Sequence, residues 1–290
     1  MNKAATYFKM YTLLGPETII KNLLALLPPV ATQQDLDVAY TEFLKKIQPD
    51  VWGDFPLSEH RADFIVDPTW VSHWTQFFSG DSILSDRKFS YEDVTPVESM
   101  HQVNTFFKNV FAQAPLPQLW KDLFQLIVRV LFYVRSTSSA GGSVSSAIGV
   151  IWCAPRTNWS SQDFLEFLVH EFTHELMFLD ELRFGHHPNI ADIANPDNFC
   201  ISSILKCPRP LDKTFHSLVV AHEIVQMRAQ YLGEPENPKA HPPTPALLQS
   251  IQATLDSLEA IALPRNLLTP HAQELMATIS QNIQHLAIAC

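Results

Sequence analysis

Glycine is scarce in this chain: 8 residues in 290, against 21 prolines. That balance, with abundant Leu, Phe, Gln and Ala, points to a mostly helical protein whose joints are set by proline. Basic charge is also short. There are 20 Lys and Arg against 30 Asp and Glu, a net charge of −10, and no basic stripe. Neutralising phosphates takes clustered cations, so the composition argues against a nucleic-acid partner and against docking on an anionic membrane. The cysteines are Cys153, Cys200, Cys207 and Cys290, with no CxxC pair. They read as reduced, buried thiols of a cytoplasmic protein, although Cys200 and Cys207 are close enough in sequence to be joined. The opening MNKAATYFKMYTLLGPE lacks the apolar run and cleavage site of a signal peptide. The most apolar stretch, Leu119 to Val134, carries Lys121, Gln125 and Arg129 at i, i+4 and i+8. It is too short and too charged to cross a bilayer, and it reads as a core helix with one polar stripe.

Helical periodicity recurs along the chain. ETIIKNLLALLPP, DLDVAYTEFLKKIQPD and VESMHQVNTFFKNVFAQAP each read as a helix closed near a proline. Residues 50 to 100 read as irregular structure with short helices. RSTSSAGGSVSSAIGVIWCAP then changes the texture, and residues 143 to 153 read as a strand. Ser160 with Asp163 three later fits a capping box that starts a helix ending by Gly185. A further helix spans about Leu211 to Leu232, with Gly233 near its C-cap. GEPENPKAHPPTP reads as a proline-rich surface loop, and two helices near 245 to 262 and 270 to 288 follow. The expected fold is mostly α, of the α+β class: a helical protein with a small sheet. We expect a single unit over 1–290, with an N-terminal helical part (1–135) and a metal-site part (136–290).

That site is expected in FLVHEFTHELMFLDELRF, residues 167 to 184, which spells HExxH through His170, Glu171 and His174. A helix puts positions i and i+4 on one face, so both imidazoles can serve one metal ion. Glu171 points about 100° round the helix from His170, close enough to handle a metal-bound water. Phe164, Leu165, Leu168, Phe172, Leu176 and Leu179 surround the motif. Histidines and glutamates on a helix apolar nearly all round are costly to bury without partners. A metal is the natural partner, and a satisfied polar network is the plainer one. The third ligand decides the chemistry. Asp180 stands at the metzincin position, but Met177 replaces the glycine that lets those peptidases turn. Glu223 lies on a later helix, as in thermolysin-like peptidases, but Met227 stands where an acid should follow. His216, near the start of that later helix, would complete three imidazoles. His186 and His187, beside Pro188, read as solvated loop histidines, and His222 as ordinary.

Two stretches carry a resemblance. GGSVSSAIGVIW with WSSQDFLEFLVHEFTHELMF, and RPLDKTFHSLVVAHEIVQM, are similar to the HExxH-motif proteins of peptide-modification gene clusters, described as iron(II)- and 2-oxoglutarate-dependent peptide β-hydroxylases. The similarity covers about residues 140 to 232. It implies Fe(II) held by His170, His174 and His216, with open positions for 2-oxoglutarate and dioxygen. It also implies a carboxylate-binding role for Arg209, the arginine of the Arg-Pro pair. The substrate would be a peptide or amino-acid side chain, including one on a leader-bearing precursor, oxidised at a β-carbon in a peptide natural-product pathway. Glu171 would then orient a ligand or substrate amide. In zincin-like sites an edge strand beside the metal helix pairs with an extended peptide, and Gly141 and Gly142 would let a backbone come close. Two rival readings stand beside this one: a zinc metallopeptidase with Glu171 as general base, and a non-catalytic binding protein. The sequence leaves the oligomeric state open.

Overall fold

A computed structural model describes residues 11–29, 33–53, 55, 63–78 and 96–289. Most of the opening stretch MNKAATYFKMYTLLGPE lies outside these residues, as do Cys290 and much of the stretch between 54 and 95. The described chain runs α1 (Pro16–Leu26), α2 (Gln33–Ile47), α3 (Pro49–Trp52), β1 (Asp63–Ile65), α4 (Pro68–Phe78), α5 (Val97–Gln113), α6 (Gln118–Ile127) and β2 (Val130–Tyr133). It continues through β3 (Gly141–Gly142), β4 (Val150–Cys153), α7 (Ser161–Phe184), β5 (Cys200–Ile201), β6 (Pro208–Arg209), α8 (Leu211–Met227), α9 (Thr244–Ile261) and α10 (Pro270–Ala289). The protein is mostly helical with a small mixed sheet, as its composition suggests. Among the described residues, no helix is long and apolar enough to cross a membrane.

The chain divides into two compact units that do not follow chain order. A sheet unit takes Leu24–Leu179 and Pro235–His241; a helical unit takes Met1–Leu23, Asp180–Glu234 and Pro242–Cys290. α7 belongs to the first as far as Leu179 and to the second from Asp180.

In the sheet unit the strand order is β1-β2-β4-β3. β1, β2 and β4 are parallel, and β3 closes the edge antiparallel to β4. Strands covered on both faces read as continuous apolar runs rather than alternating ones. VLFY in β2 and VIWC in β4 follow that rule, and Val130, Leu131, Phe132, Val150, Ile151 and Cys153 are all fully buried. Aromatic rings join the helices. On α7, Phe164 meets Phe106 of α5 (centroids 5.0 Å apart), and Phe172 meets Trp120 and Phe124 of α6 (5.2 and 5.4 Å). Truncating a buried ring such as Phe172 to alanine costs about 3–5 kcal/mol.

Two expected elements are corrected here. Leu119 to Val134 is not one helix: α6 stops at Ile127, Val128 is extended, and β2 follows. The run Val128-Arg129-Val130 is β-branched on both sides of the arginine and finds strand partners, which outweighs its helical periodicity. Arg129 therefore leaves the expected polar stripe. It is buried, paired with Asp37 at 2.6 Å, and its guanidinium also donates to the Asp37 carbonyl at 2.9 Å. Nor is 143 to 153 one strand. β3 ends at Gly142, Ser145–Ala147 forms a 3-10 turn, and only Val150–Cys153 is β4. The break sits at Gly149, whose φ of +88° lies in the left-handed region that side chains disfavour. β4 is thus internal, and the edge strand is β3.

The helical unit is organised on α8, which is buried from Thr214 to Met227 and packs on α9 and α10. The expected helix to Leu232 ends its α-helical part at Met227. A π turn over Arg228–Leu232 follows and closes at Gly233, φ +73°.

Candidate metal centre

The capping box forms. Asp163 N–H donates to Ser160 Oγ at 3.1 Å, and Ser160 N–H donates back to Asp163 Oδ2 at 2.9 Å. Asp163 has a second task. Its Oδ1 accepts the backbone N–H groups of Lys239 and Ala240, at 2.6 and 2.9 Å, and so ties the end of the proline-rich loop to the start of α7. Burial opposes ionisation of Asp163, but the bonds from Ser160, Ala240 and Lys239 hold its carboxyl below the ordinary Asp value.

That tether delivers His241. Far from lying on a surface loop, it is buried, with Nε2 2.9 Å from His170 Nδ1 and Nδ1 3.4 Å from Glu166 Oε2. On the other side of the His170 ring, Nε2 is 3.2 Å from His174 Nε2. Donors bound cis to one ion at about 2.0–2.1 Å sit roughly 2.9–3.4 Å apart, so the two Nε2 atoms have the separation of a metal pair. His170 is kept neutral, its pKa held well below the ordinary histidine value by burial and then by His174 and His241. Neutral imidazole is the ligating form. The donor set therefore fits a divalent ion: two Nε2 atoms converge, and the far nitrogen of His170 is oriented by His241 and, through it, by the Glu166 carboxylate.

Glu171 and Glu175 point towards the sheet. Ser143 Oγ–H, just past β3, donates to Glu171 Oε2 at 2.8 Å. Burial pushes the Glu171 carboxyl up to about 8, against the bonds from Ser143. Glu175 Oε2 accepts the Gly149 N–H at 2.7 Å, and burial holds its carboxyl well above the ordinary range. The edge strand does lie beside the motif helix, but what approaches its glycines is the protein itself. A Cβ on Gly141 would sit 2.3 Å from the Phe167 ring, and one on Gly142 would sit 2.9 Å from the Trp152 indole nitrogen.

His216, Arg209, Asp180 and Glu223 belong to the helical unit. Arg209 is half-buried in β6, opposite Cys200. Glu223 accepts both the N–H and the hydroxyl of Thr12, at 2.9 and 3.0 Å. Asp180 Oδ2 meets His186 and His271 Nε2 at 2.9 and 2.7 Å, and its Oδ1 accepts from Asn22 at 3.2 Å. Burial opposes ionisation of Asp180, but His186 and His271 hold its carboxyl below the ordinary range. The two acids considered as peptidase-type third ligands are thus engaged within their own unit. His216 is buried near the start of α8, with Nε2 3.9 Å from Glu181 Oε2. His186 is not the solvated loop histidine its neighbours suggested: it is completely buried. Cys153 and Cys200 are buried thiols and Cys207 a half-buried one, none of them in a disulfide.

His241 and Glu166 were missed in the sequence. The available signal was weak: a histidine in a proline-rich run, and a glutamate four before His170 on a helix with little room for charge. No protein-family model matches this chain, and no curated protein matches it either.

Proposed function

We propose that this protein is a metal-dependent enzyme whose ion is held by His170 and His174. By the resemblance of its two motif stretches, the ion is Fe(II) and the co-substrate is 2-oxoglutarate. The observation that carries the metal reading is the 3.2 Å approach of the two Nε2 atoms, with His170 Nδ1 backed by His241. The resemblance makes His216 the third ligand and gives Arg209 a carboxylate to bind. Bound Fe(II) would supply oxidation of an unactivated C–H bond to an alcohol by dioxygen, with 2-oxoglutarate taking the second oxygen atom and leaving as succinate and carbon dioxide. The chain's own part is to orient His170 through His241 and Glu166 and to keep it neutral. Glu171, tied to Ser143, holds the motif helix against the edge of the sheet. The substrate would be a peptide or amino-acid side chain, including one on a leader-bearing precursor, and the compartment the cytoplasm, in keeping with the buried thiols Cys153 and Cys200.

One observation favours a second reading. The spacing of His170, Glu171 and His174 is also that of zinc peptidases, in which Glu171 would be the general base. Anaerobic titration of the metal-free protein with Fe(II) and then 2-oxoglutarate separates the two. The expected result is the weak visible band of a keto acid chelated to ferrous iron, saturating at one equivalent and absent in His170→Ala and His174→Ala. Iron binding without that band, or tight binding of zinc alone, overturns the oxygenase reading. Peptide cleavage abolished by Glu171→Gln would then establish the other.

A further inference from the structure

The helical unit contains two metal-type donors, Glu181 and His186, that the reading above leaves without a task. His186 follows α7 and is completely buried. Its Nε2 is taken by the Asp180 carboxylate, while its Nδ1 is buried with no hydrogen-bond partner. A buried polar atom without a partner is destabilising, so such an atom calls for an explanation. Beside it stand Glu181 and His216. One donor atom from each of Glu181, His186 and His216 lies within 4.8 Å of the other two, and His216 is buried while Glu181 is half-buried.

We propose that Glu181, His186 and His216 form a site of their own for a divalent transition-metal ion, with His186 ligating through Nδ1 and Asp180 orienting its ring. The inference goes beyond the proposed activity, since it adds a second ion and gives it His216 together with Glu181 and His186. Two imidazoles and one carboxylate suit Fe(II), Co(II), Mn(II) or Zn(II), and three such donors leave positions open for water or a small ligand. A ligating histidine commonly gives its other N–H to a carboxylate, which fixes tautomer and ring plane. Asp180 stands where that carboxylate is needed, and His271 and Asn22 hold it there. The His216–Glu181 separation of 3.9 Å exceeds the roughly 3 Å between donors that share an ion. Closing the gap falls to Glu181, which is half-buried while both histidines are buried. The resemblance assigns His216 to the His170–His174 ion; this cluster gives it partners within its own unit.

The test is an anaerobic titration of the metal-free, full-length protein with Co(II), whose visible spectrum reports donor type and geometry. Wild-type protein should bind two equivalents. His170→Ala should keep one of them. Glu181→Gln should keep the other and weaken the lost site at least tenfold, and His186→Asn should remove that site. Because His186 is fully buried and its variant could fail to fold, Glu181→Gln, checked by circular dichroism, carries the test alone if needed. A wild-type stoichiometry of one overturns the proposal. So does a second equivalent indifferent to Glu181→Gln, or a single equivalent lost in both His170→Ala and His216→Ala, since those histidines would then serve one ion. The proposed function fails separately, if His170→Ala leaves every bound equivalent in place.

Discussion

The two units assemble their polar clusters in opposite ways. In the sheet unit the pair His170–His174 comes from one turn of one helix, and its outer support comes from Glu166 one turn earlier and His241 in a tethered loop. In the helical unit the cluster of Asp180, Glu181, His186, His216 and His271 draws on the end of α7, the loop after it, α8 and α10. The first arrangement is largely local, so helical spacing alone brings the ligands together. The second exists only once distant segments have packed. A local pair is also the sturdier one: its geometry survives as long as the helix does, whereas each member of the dispersed cluster depends on the packing of the others.

Substitutions can break or sharpen that contrast. The largest effect should come from His170→Ala or His174→Ala, which should weaken metal binding in the sheet unit by more than the roughly 10–100-fold that losing an outer partner costs. Competition against a chelator measures this. Next, His241→Ala should weaken the same ion about 10–100-fold and shift the Co(II) spectrum, because His170 Nδ1 loses its acceptor. His241→Asn, which can restore an acceptor, should recover part of the loss; an unchanged affinity in both would show that the ring is held by the helix alone. Gly141→Ala should destabilise the protein by about 1–3 kcal/mol, as the new methyl meets the Phe167 ring and the Trp152 carbonyl. Its unfolding midpoint in urea should fall without a change in slope.

The smallest expected effect is Asp163→Asn, about 1–2 kcal/mol at neutral pH for a weakened cap and loop tether. Its pH dependence has a definite sign. The folded-state pKa of Asp163 is lowered, so the stability it contributes is present above the ordinary Asp value and is lost as pH falls through the lowered one. Wild-type protein should therefore lose stability below about pH 4 more steeply than the variant does. Parallel acid unfolding curves for the two proteins would refute the role given to this carboxylate.

Much of the frame was legible in the chain. α1, α2, α5, α7, α9 and α10 follow their apolar periodicity and proline stops, and the Ser160–Asp163 box forms as spelled. These features depend on residues three or four apart, where a helix makes neighbours by its own geometry. The failures share a cause. Val130 to Tyr133 obeys helical spacing yet pairs as β2, because β4, 20 residues on, and β1 flank it as strand partners and its apolar side chains are buried. His186 and His241 sit in loops rich in proline, asparagine or aspartate, and local composition marks them as solvated; long-range packing buries both.

What the sequence determined by itself is therefore a mostly helical protein with a small sheet, and two imidazoles on one helical face. Both follow from periodicities of a few residues. Tertiary structure alone decided that the edge glycines receive Phe167 and Trp152 rather than open onto solvent. It also decided that His241 and Glu166 support His170, and that His186 lies beside Glu181 and His216. Most of those contacts join residues distant in the chain, such as Gly141 and Phe167, Glu166 and His241, or His186 and His216. Burial of apolar surface drives the packing that brings them together, and polar atoms buried with it are costly unless they find partners.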